Sequence, residues 1–280
     1  MKIIKNIHSF SKIKNLDQES VGFVPTMGCL HEGHLGLIKQ SLKENRNTVV
    51  SIFINPKQFG IGEDFYKYPK TLSEDINMLE KSGVDYLFLP EYEDIYPKDF
   101  KTTVSMNTLT DKLCGKSRPT HFQGVCLILI KLCNIVKPNN LYMGKKDMQQ
   151  LTIIKQLFRD LNIPINIIPC EIIRNPKGLA LSSRNRYLTK EEIHNAEQIN
   201  IILKKQADKI KQYGFNREEI IQDIQSSLSI LGKIDYIAIT DNTLVEQYDD
   251  YNQELIILVA IFIGETRLLD NIEIKRQVGN

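Results

Sequence analysis

Over roughly the first 175 residues, short and uniformly apolar runs alternate with amphipathic stretches, and this rhythm constrains the fold more than any other feature of the chain. Val21 to Pro25 reads as a buried strand, followed by a glycine-containing turn and a helix from about His31 to Asn45. Thr48 to Asn55 is a second strand, rich in β-branched residues that suit a pleated surface. A long loop through Phe59 to Gly62 leads to a helix that Thr71 and Glu74 are spaced to open as a capping box. Further on come a strand at Val84 to Pro90, a mostly buried helix at His121 to Val136 and a short strand at Leu141 to Met143. An amphipathic helix at Gln149 to Leu161 and a strand at Ile165 to Ile173 close this part. Strands apolar on both faces need helices on both sides, so the expected fold is α/β with a parallel sheet covered twice.

After Ser183 the texture changes. Thr189 and Glu192 open a long helix, a second runs from about Arg217 to Leu231, and strands come next at Asp235 to Thr240 and Leu255 to Ile263. Helices followed by antiparallel-type strands indicate a smaller α+β domain. The turn-rich Asn175-Pro176-Lys177-Gly178 marks the boundary, giving domains 1–176 and 177–280.

Composition removes several classes of function. Thirty-six basic against 34 acidic side chains leave a formal charge of +2, too balanced for binding nucleic acid through bulk charge. The longest apolar run, Leu255 to Ile263, is about half of what a membrane-spanning helix requires, and no signal-peptide pattern comes after Met1. Five cysteines without a Cys-x-x-Cys pair read as free thiols of a reducing cytoplasm, with Cys126 and Cys133 as core residues.

Four segments can carry chemistry. Pro25 to His34 lies between the first strand and the first helix, where open parallel sheets bind ligands. A helix start offers unpaired N–H groups and a positive dipole end to a phosphate. His31 and His34, three apart, are neighbours that can donate to phosphoryl oxygens, and Gly33 lets a flat ring approach. A metal-chelating pair and two surface histidines are the rival readings, although the metalloprotease spacing is absent. Gln58, after the second strand, can read a hydroxyl and a carboxylate together, or be an ordinary solvated loop residue. Gly144-Lys145-Lys146-Asp147 at a strand end resembles a phosphate cradle, or an exposed lysine pair. Gly178 to Asn185, with Ser182, Ser183 and Arg184, suits a loop closing over phosphates, or a serine-rich linker.

Taken together, the strings PTMGCLHEGH, SIFINPKQFG, YPKTLSED, RPTHFQGV, GKKDMQQL, GLALSSRNRYL and the late Gly264 to Asn271 closely resemble the pantoate–β-alanine ligases. These form a family of the nucleotidyltransferase superfamily with a His-x-Gly-His motif, and the resemblance runs nearly end to end. It implies a Rossmann-like N-terminal domain, a smaller C-terminal lid, a cytoplasmic homodimer, and magnesium alongside ATP. It further implies that pantoate, β-alanine and ATP give pantothenate, AMP and pyrophosphate. The match assigns ATP contacts to Met27, Gly28, Cys29, Leu30, His31, Glu32, Gly33 and His34. Gly144, Lys145, Lys146, Asp147, Ile173, Leu181, Ser182, Ser183 and Arg184 match further ATP contacts. His34, His31, Lys146 and Arg184 are the implied catalytic groups. Gln58, Gln150 and His121 belong to the pantoate pocket, Gln58 also to β-alanine, and Glu74 and Asp75 form an acidic pair near magnesium. Two positions depart from the pattern: Lys145 stands where relatives usually carry Glu or Gln, and Gln123 where many have Arg.

The implied reaction has a clear physical logic. A carboxylate is a poor electrophile, so attack of pantoate on the α-phosphorus of ATP would give pantoyl adenylate, which the β-alanine amine then opens. Positioning and charge stabilisation suffice, without an enzyme nucleophile. The competing readings are a nucleotidyltransferase of the same superfamily with another small acid or phosphate acceptor, a non-catalytic nucleotide sensor, and a zinc hydrolase.

Overall fold

The computed structural model describes residues 1–13, 19–247 and 254–275. In chain order its elements begin with β1 (Lys2–Ile4), α1 (Ile7–Ser11), β2 (Val21–Thr26), α2 (Glu32–Glu44), β3 (Asn47–Ile52) and α3 (Leu72–Lys81). Then come β4 (Tyr86–Phe88), α4 (Tyr92–Ile95), α5 (Cys114–Ser117), α6 (His121–Val136), β5 (Asn140–Gly144), α7 (Met148–Asp160) and β6 (Asn166–Cys170). The last are α8 (Lys190–Tyr213), α9 (Arg217–Leu228), β7 (Lys233–Thr240), β8 (Leu255–Ile263) and β9 (Thr266–Ile274).

Two compact units emerge, the first comprising Met1–Lys145 and Ile153–Glu171, the second Lys146–Thr152 and Ile172–Asn280. The second unit therefore starts five residues before the sequence-based boundary of 177, and it also takes the segment bearing Lys146. Arg174 and Asn175 explain the shift. The Arg174 side chain is bound to Asp270 and the Asn175 side chain to Glu197, so this stretch packs with residues C-terminal to it.

The first unit is built on a six-stranded sheet of order β1-β4-β3-β2-β5-β6, parallel throughout. Strand residues alternate between its faces. Val24, Val50 and Leu87 pack with Ile38 of α2 and Leu79 of α3, whereas Phe88 meets the Phe10 ring of α1 at 5.1 Å. Helix α6 is apolar nearly all round and is correspondingly buried, from Phe122 through Val136. From β2 the chain runs outward to β3 and β4 on one side, and to β5 and β6 on the other. The order thus reverses between β2 and β5, the kind of switch point at which such sheets bind ligands.

The second unit carries an antiparallel sheet of order β7-β8-β9. Leu255, Ile257, Val259, Ile261 and Ile263 of the central strand join one core with Ile199 and Leu203 of α8 and Ile220 and Ile224 of α9. The run Leu255 to Ile263 is this strand, and among the described residues no helix is long and apolar enough to cross a membrane. Strand β9 was not expected from the sequence, because Arg267, Asp270 and Glu273 interrupt its apolar alternation. The five cysteines are all buried and unpaired with one another.

The two expected capping boxes diverge. Thr189 and Glu192 form the reciprocal pair at the start of α8. Thr71 sits at the N-cap of α3 but makes no side-chain cap; its hydroxyl donates to Asp75 Oδ1 at 3.2 Å instead. The hydroxyl is turned toward the buried Asp75 carboxylate one turn into the helix.

Candidate active site

The turn after β2 is braced from two sides. The Thr26 hydroxyl donates to the Ser51 carbonyl at 2.8 Å and accepts the Gly28 N–H at 3.2 Å. Gly28 and Cys29 then take consecutive left-handed conformations, with φ of 80° and 52°. Glycine tolerates this at little cost, but cysteine does not, so the surroundings must impose it. Asp75 does so. Its carboxylate, 2% exposed, accepts the Cys29 N–H at 2.9 Å and the Leu30 N–H at 2.8 Å.

His31 is the N-cap of α2, with Nδ1 accepting the Gly33 N–H at 3.1 Å. In the neutral ring the proton therefore sits on Nε2, which makes that edge the donor. The His31 and His34 ring centroids are 4.1 Å apart, so the two imidazoles form one patch at the helix start. The His34 N–H is bound to the His31 carbonyl at 2.8 Å. The backbone N–H groups of residues 28, 29, 30, 33 and 34 thus all have protein acceptors. With those five N–H groups engaged inside the turn, the imidazoles and the helix dipole are what it offers to a phosphate.

Beside this turn lies Gln58. Its Nε2 is 3.0 Å from Met27 Sδ, and its Oε1 accepts from Asn55 Nδ2 at 3.1 Å. Asn55, 1% exposed, is the residue that sequence reasoning missed. It also donates to the Gly124 carbonyl at 3.1 Å and accepts from the Tyr96 hydroxyl at 2.9 Å, which fixes which way its amide faces. The Asn-Pro pair at the strand end is the signal that could have flagged it.

His121 supports Gln58 from behind. Its Nδ1 is 2.8 Å from the Gln58 carbonyl, and its Nε2 is 3.2 Å from Arg118 Nη1. A carbonyl can only accept, so Nδ1 is the donor to the Gln58 backbone. Arg118 also reaches the Gln58 carbonyl at 3.3 Å and binds Glu63 through two nitrogens, at 2.7 and 2.5 Å. Burial alone would raise the Glu63 pKa, but the Arg118 hydrogen bond and charge outweigh it and hold the carboxyl below its ordinary value. These two ring contacts place His121 in the frame of the Gln58 backbone.

At the end of β5, Lys145 binds Glu171 at 2.6 Å, so the unusual lysine is partly neutralised within the first unit. Gln123 is exposed.

In the second unit, Lys146 Nζ lies 3.5 Å from Asp147 Oδ1, and Gln150 is half-buried in the first turn of α7. The Leu181 N–H binds the Ile173 carbonyl at 3.0 Å, closing a hairpin, and Ser182 caps a 3-10 turn by accepting the Arg184 N–H at 3.3 Å.

Glu74 and Asp75 do not make a divalent-cation site between them. Asp75 is buried and spent on two N–H groups and a hydroxyl, and Glu74 is exposed. Asp75 is thus a clamp on the turn, not an open metal ligand. Among the described residues no three His, Cys, Asp or Glu side chains are grouped to hold a metal.

Paired imidazoles and an oriented carboxamide at the switch point of a parallel sheet define an α/β fold of the class that binds ligands where its strand order reverses. Comparison with known proteins narrows this class. The chain belongs to the pantoate–β-alanine ligase family, whose model matches residues 2–273. It is 46% identical over 275 residues to pantothenate synthetase of Pseudothermotoga lettingae, covering 97% of this chain and 98% of that one. The crystal structure of pantothenate synthetase from Thermus thermophilus superposes with a TM-score of 0.94 at 36% identity, over 99% of this chain and 100% of that one. Pantoate-beta-alanine ligase from Francisella tularensis, solved with "Beta-gamma ATP and Beta-alanine", gives 0.81 at 41% identity over 97% of each chain.

Proposed function

We propose that this ATP-dependent ligase joins pantoate to β-alanine through a pantoyl adenylate, with a distinct role for each group of side chains. Gln58 and Gln150 hold pantoate so that its carboxylate meets the α-phosphorus in line with the departing pyrophosphate. His31 and His34 donate to the phosphoryl oxygens as charge builds, and Lys146 and Arg184 neutralise the pyrophosphate. The β-alanine amine then attacks the acyl carbon, forming the amide C–N bond and expelling AMP with the electron pair of the acyl C–O bond.

One observation carries this assignment. The Gln58 amide is held by Asn55 against Met27, the residue that begins the turn leading into the His31–His34 pair. An acid-orienting group and a phosphate-seeking group are thereby parts of one braced structure. The family resemblance supports magnesium as the partner of ATP and a homodimer as the assembly, and five buried thiols with no Cys-x-x-Cys pair support a cytoplasmic setting.

Exchange of labelled pyrophosphate into ATP tests the reading. The expected result is exchange that needs pantoate, proceeds with β-alanine withheld, and falls on the order of a hundredfold in His34→Ala. Exchange independent of pantoate would overturn it.

A further inference from the structure

Strand β9 contains Asp270 and Asn271, at 5% and 3% exposure, and the chemistry above gives neither a duty. Asp270 receives the Arg174 guanidinium through two hydrogen bonds of 2.7 Å each, and its Oδ1 also accepts the Asn271 N–H at 2.7 Å. Arg174 donates further to the Gly178 carbonyl at 3.0 Å and the Asn271 carbonyl at 3.3 Å. Asn271 Nδ2, held in this frame, donates to the backbone carbonyl of Lys146 at 3.0 Å, 125 residues away in sequence.

A buried ion pair is a poor device for stability alone, since well-packed apolar residues often do as well. What apolar residues cannot do is hold backbone carbonyls at fixed places. Here one buried network holds those of Gly178 and Lys146, in the two segments of the second unit that carry the proposed nucleotide contacts. A lysine side chain has several rotatable bonds, so its ammonium is placed only as well as its own peptide is anchored.

We propose that Asn271, oriented by Asp270 and Arg174, is a positioning residue for Lys146: it fixes the peptide from which the ammonium reaches the phosphates. The inference rests on the role of Lys146 proposed above. A shift of about 1 Å in a reacting group costs up to about a hundredfold in rate, so losing the anchor is expected to slow adenylation while leaving pantoate binding intact.

A double-mutant cycle of Asn271→Ala and Lys146→Ala tests this, read by pantoate-dependent pyrophosphate exchange with thermal melting in parallel. Asn271→Ala alone should lower the exchange rate about tenfold or more at an unchanged KM for pantoate. In the Lys146→Ala background the same change should cost less than about twofold, because the group that it positions is gone. An equal fold loss in both backgrounds, or no loss in the single variant, overturns the proposal. Lys146→Ala at the full wild-type rate overturns instead the role of Lys146, and the proposal with it. Should Asn271→Ala not fold, the near-isosteric Asn271→Leu, which also lacks the donor, takes its place in the cycle.

Discussion

Gly124→Ala is the substitution whose consequence the structure specifies most closely. Gly124 lies on the first turn of α6, against the 3-10 turn Pro56–Gln58. A Cβ there would sit 2.1 Å from the Lys57 carbonyl oxygen, 2.3 Å from its carbon and 2.5 Å from the Gln58 nitrogen. All three are backbone atoms, so no side chain can swing aside. Moving the closest from 2.1 Å out to 3.0 Å displaces the Gln58 backbone or α6 by about 0.9 Å. The Asn55 to Gly124 hydrogen bond, which orients the amide facing Gln58, is strained by the same motion. Overpacking of this kind costs about 1–3 kcal/mol. The melting midpoint should therefore fall by several degrees, at about 2–4 °C per kcal/mol in a chain of roughly this size. The larger effect falls on chemistry. A displacement near 1 Å at the residue orienting pantoate should lower kcat/KM for pantoate on the order of a hundredfold. ATP binding, measured by calorimetry, should change little. A variant with kcat/KM within about twofold of wild type and an unshifted melting curve would refute the role given to this contact.

Other consequences are equally open to measurement. Asp75→Ala leaves two buried N–H groups without their acceptor, at about 1–3 kcal/mol each. ATP affinity and melting temperature should both drop, with Asp75→Asn falling between it and wild type; unchanged nucleotide binding in Asp75→Ala would count against the clamp. The Glu63 carboxyl titrates below its ordinary value of 4.5 in the folded protein, so its contribution to stability is complete above that pH and is lost as pH falls through the lower folded value. The stability gap between wild type and Glu63→Gln should accordingly narrow in acid, and a gap that stays constant from pH 7 to about 3 would contradict this linkage. Burial pushes the thiols of Cys126, Cys133 and Cys170 up to about 12, so alkylating reagents at neutral pH should label them only after denaturation. Fast labelling of the native protein at these positions would show that the core opens readily. Cys29→Ser is expected to retain activity, since the proposed chemistry uses only the backbone of Cys29; a dead enzyme would point to a covalent role.

What could be read from sequence was what depends on near neighbours. The α6 run, the reciprocal pair of Thr189 and Glu192, and the strand at Val21 are set by spacing within a few residues, and the structure shows all three. Thr71 and Glu74 have the same spacing without forming the box, because Asp75 is drawn into the core by two N–H donors 45 and 46 residues away. Strand β9 escaped because its inward polar residue, Asp270, is paired with Arg174, and a buried ion pair disguises an apolar face as a surface one. The histidine turn was evident as a motif, whereas the partners that hold the other candidate segments were not. Asn55 under Tyr96, Glu63 on Arg118 and Asn271 on Lys146 are partners 41, 55 and 125 residues apart, joined only by the fold.

The central claim is that the pantoate carboxylate itself attacks the α-phosphorus of ATP. Pantoate labelled with ¹⁸O in its carboxylate tests this most directly, by mass spectrometry of the AMP released in a complete reaction with β-alanine. Acyl-adenylate chemistry predicts one labelled oxygen in the phosphate of each AMP and one retained in the amide carbonyl of pantothenate. AMP free of label would contradict the account.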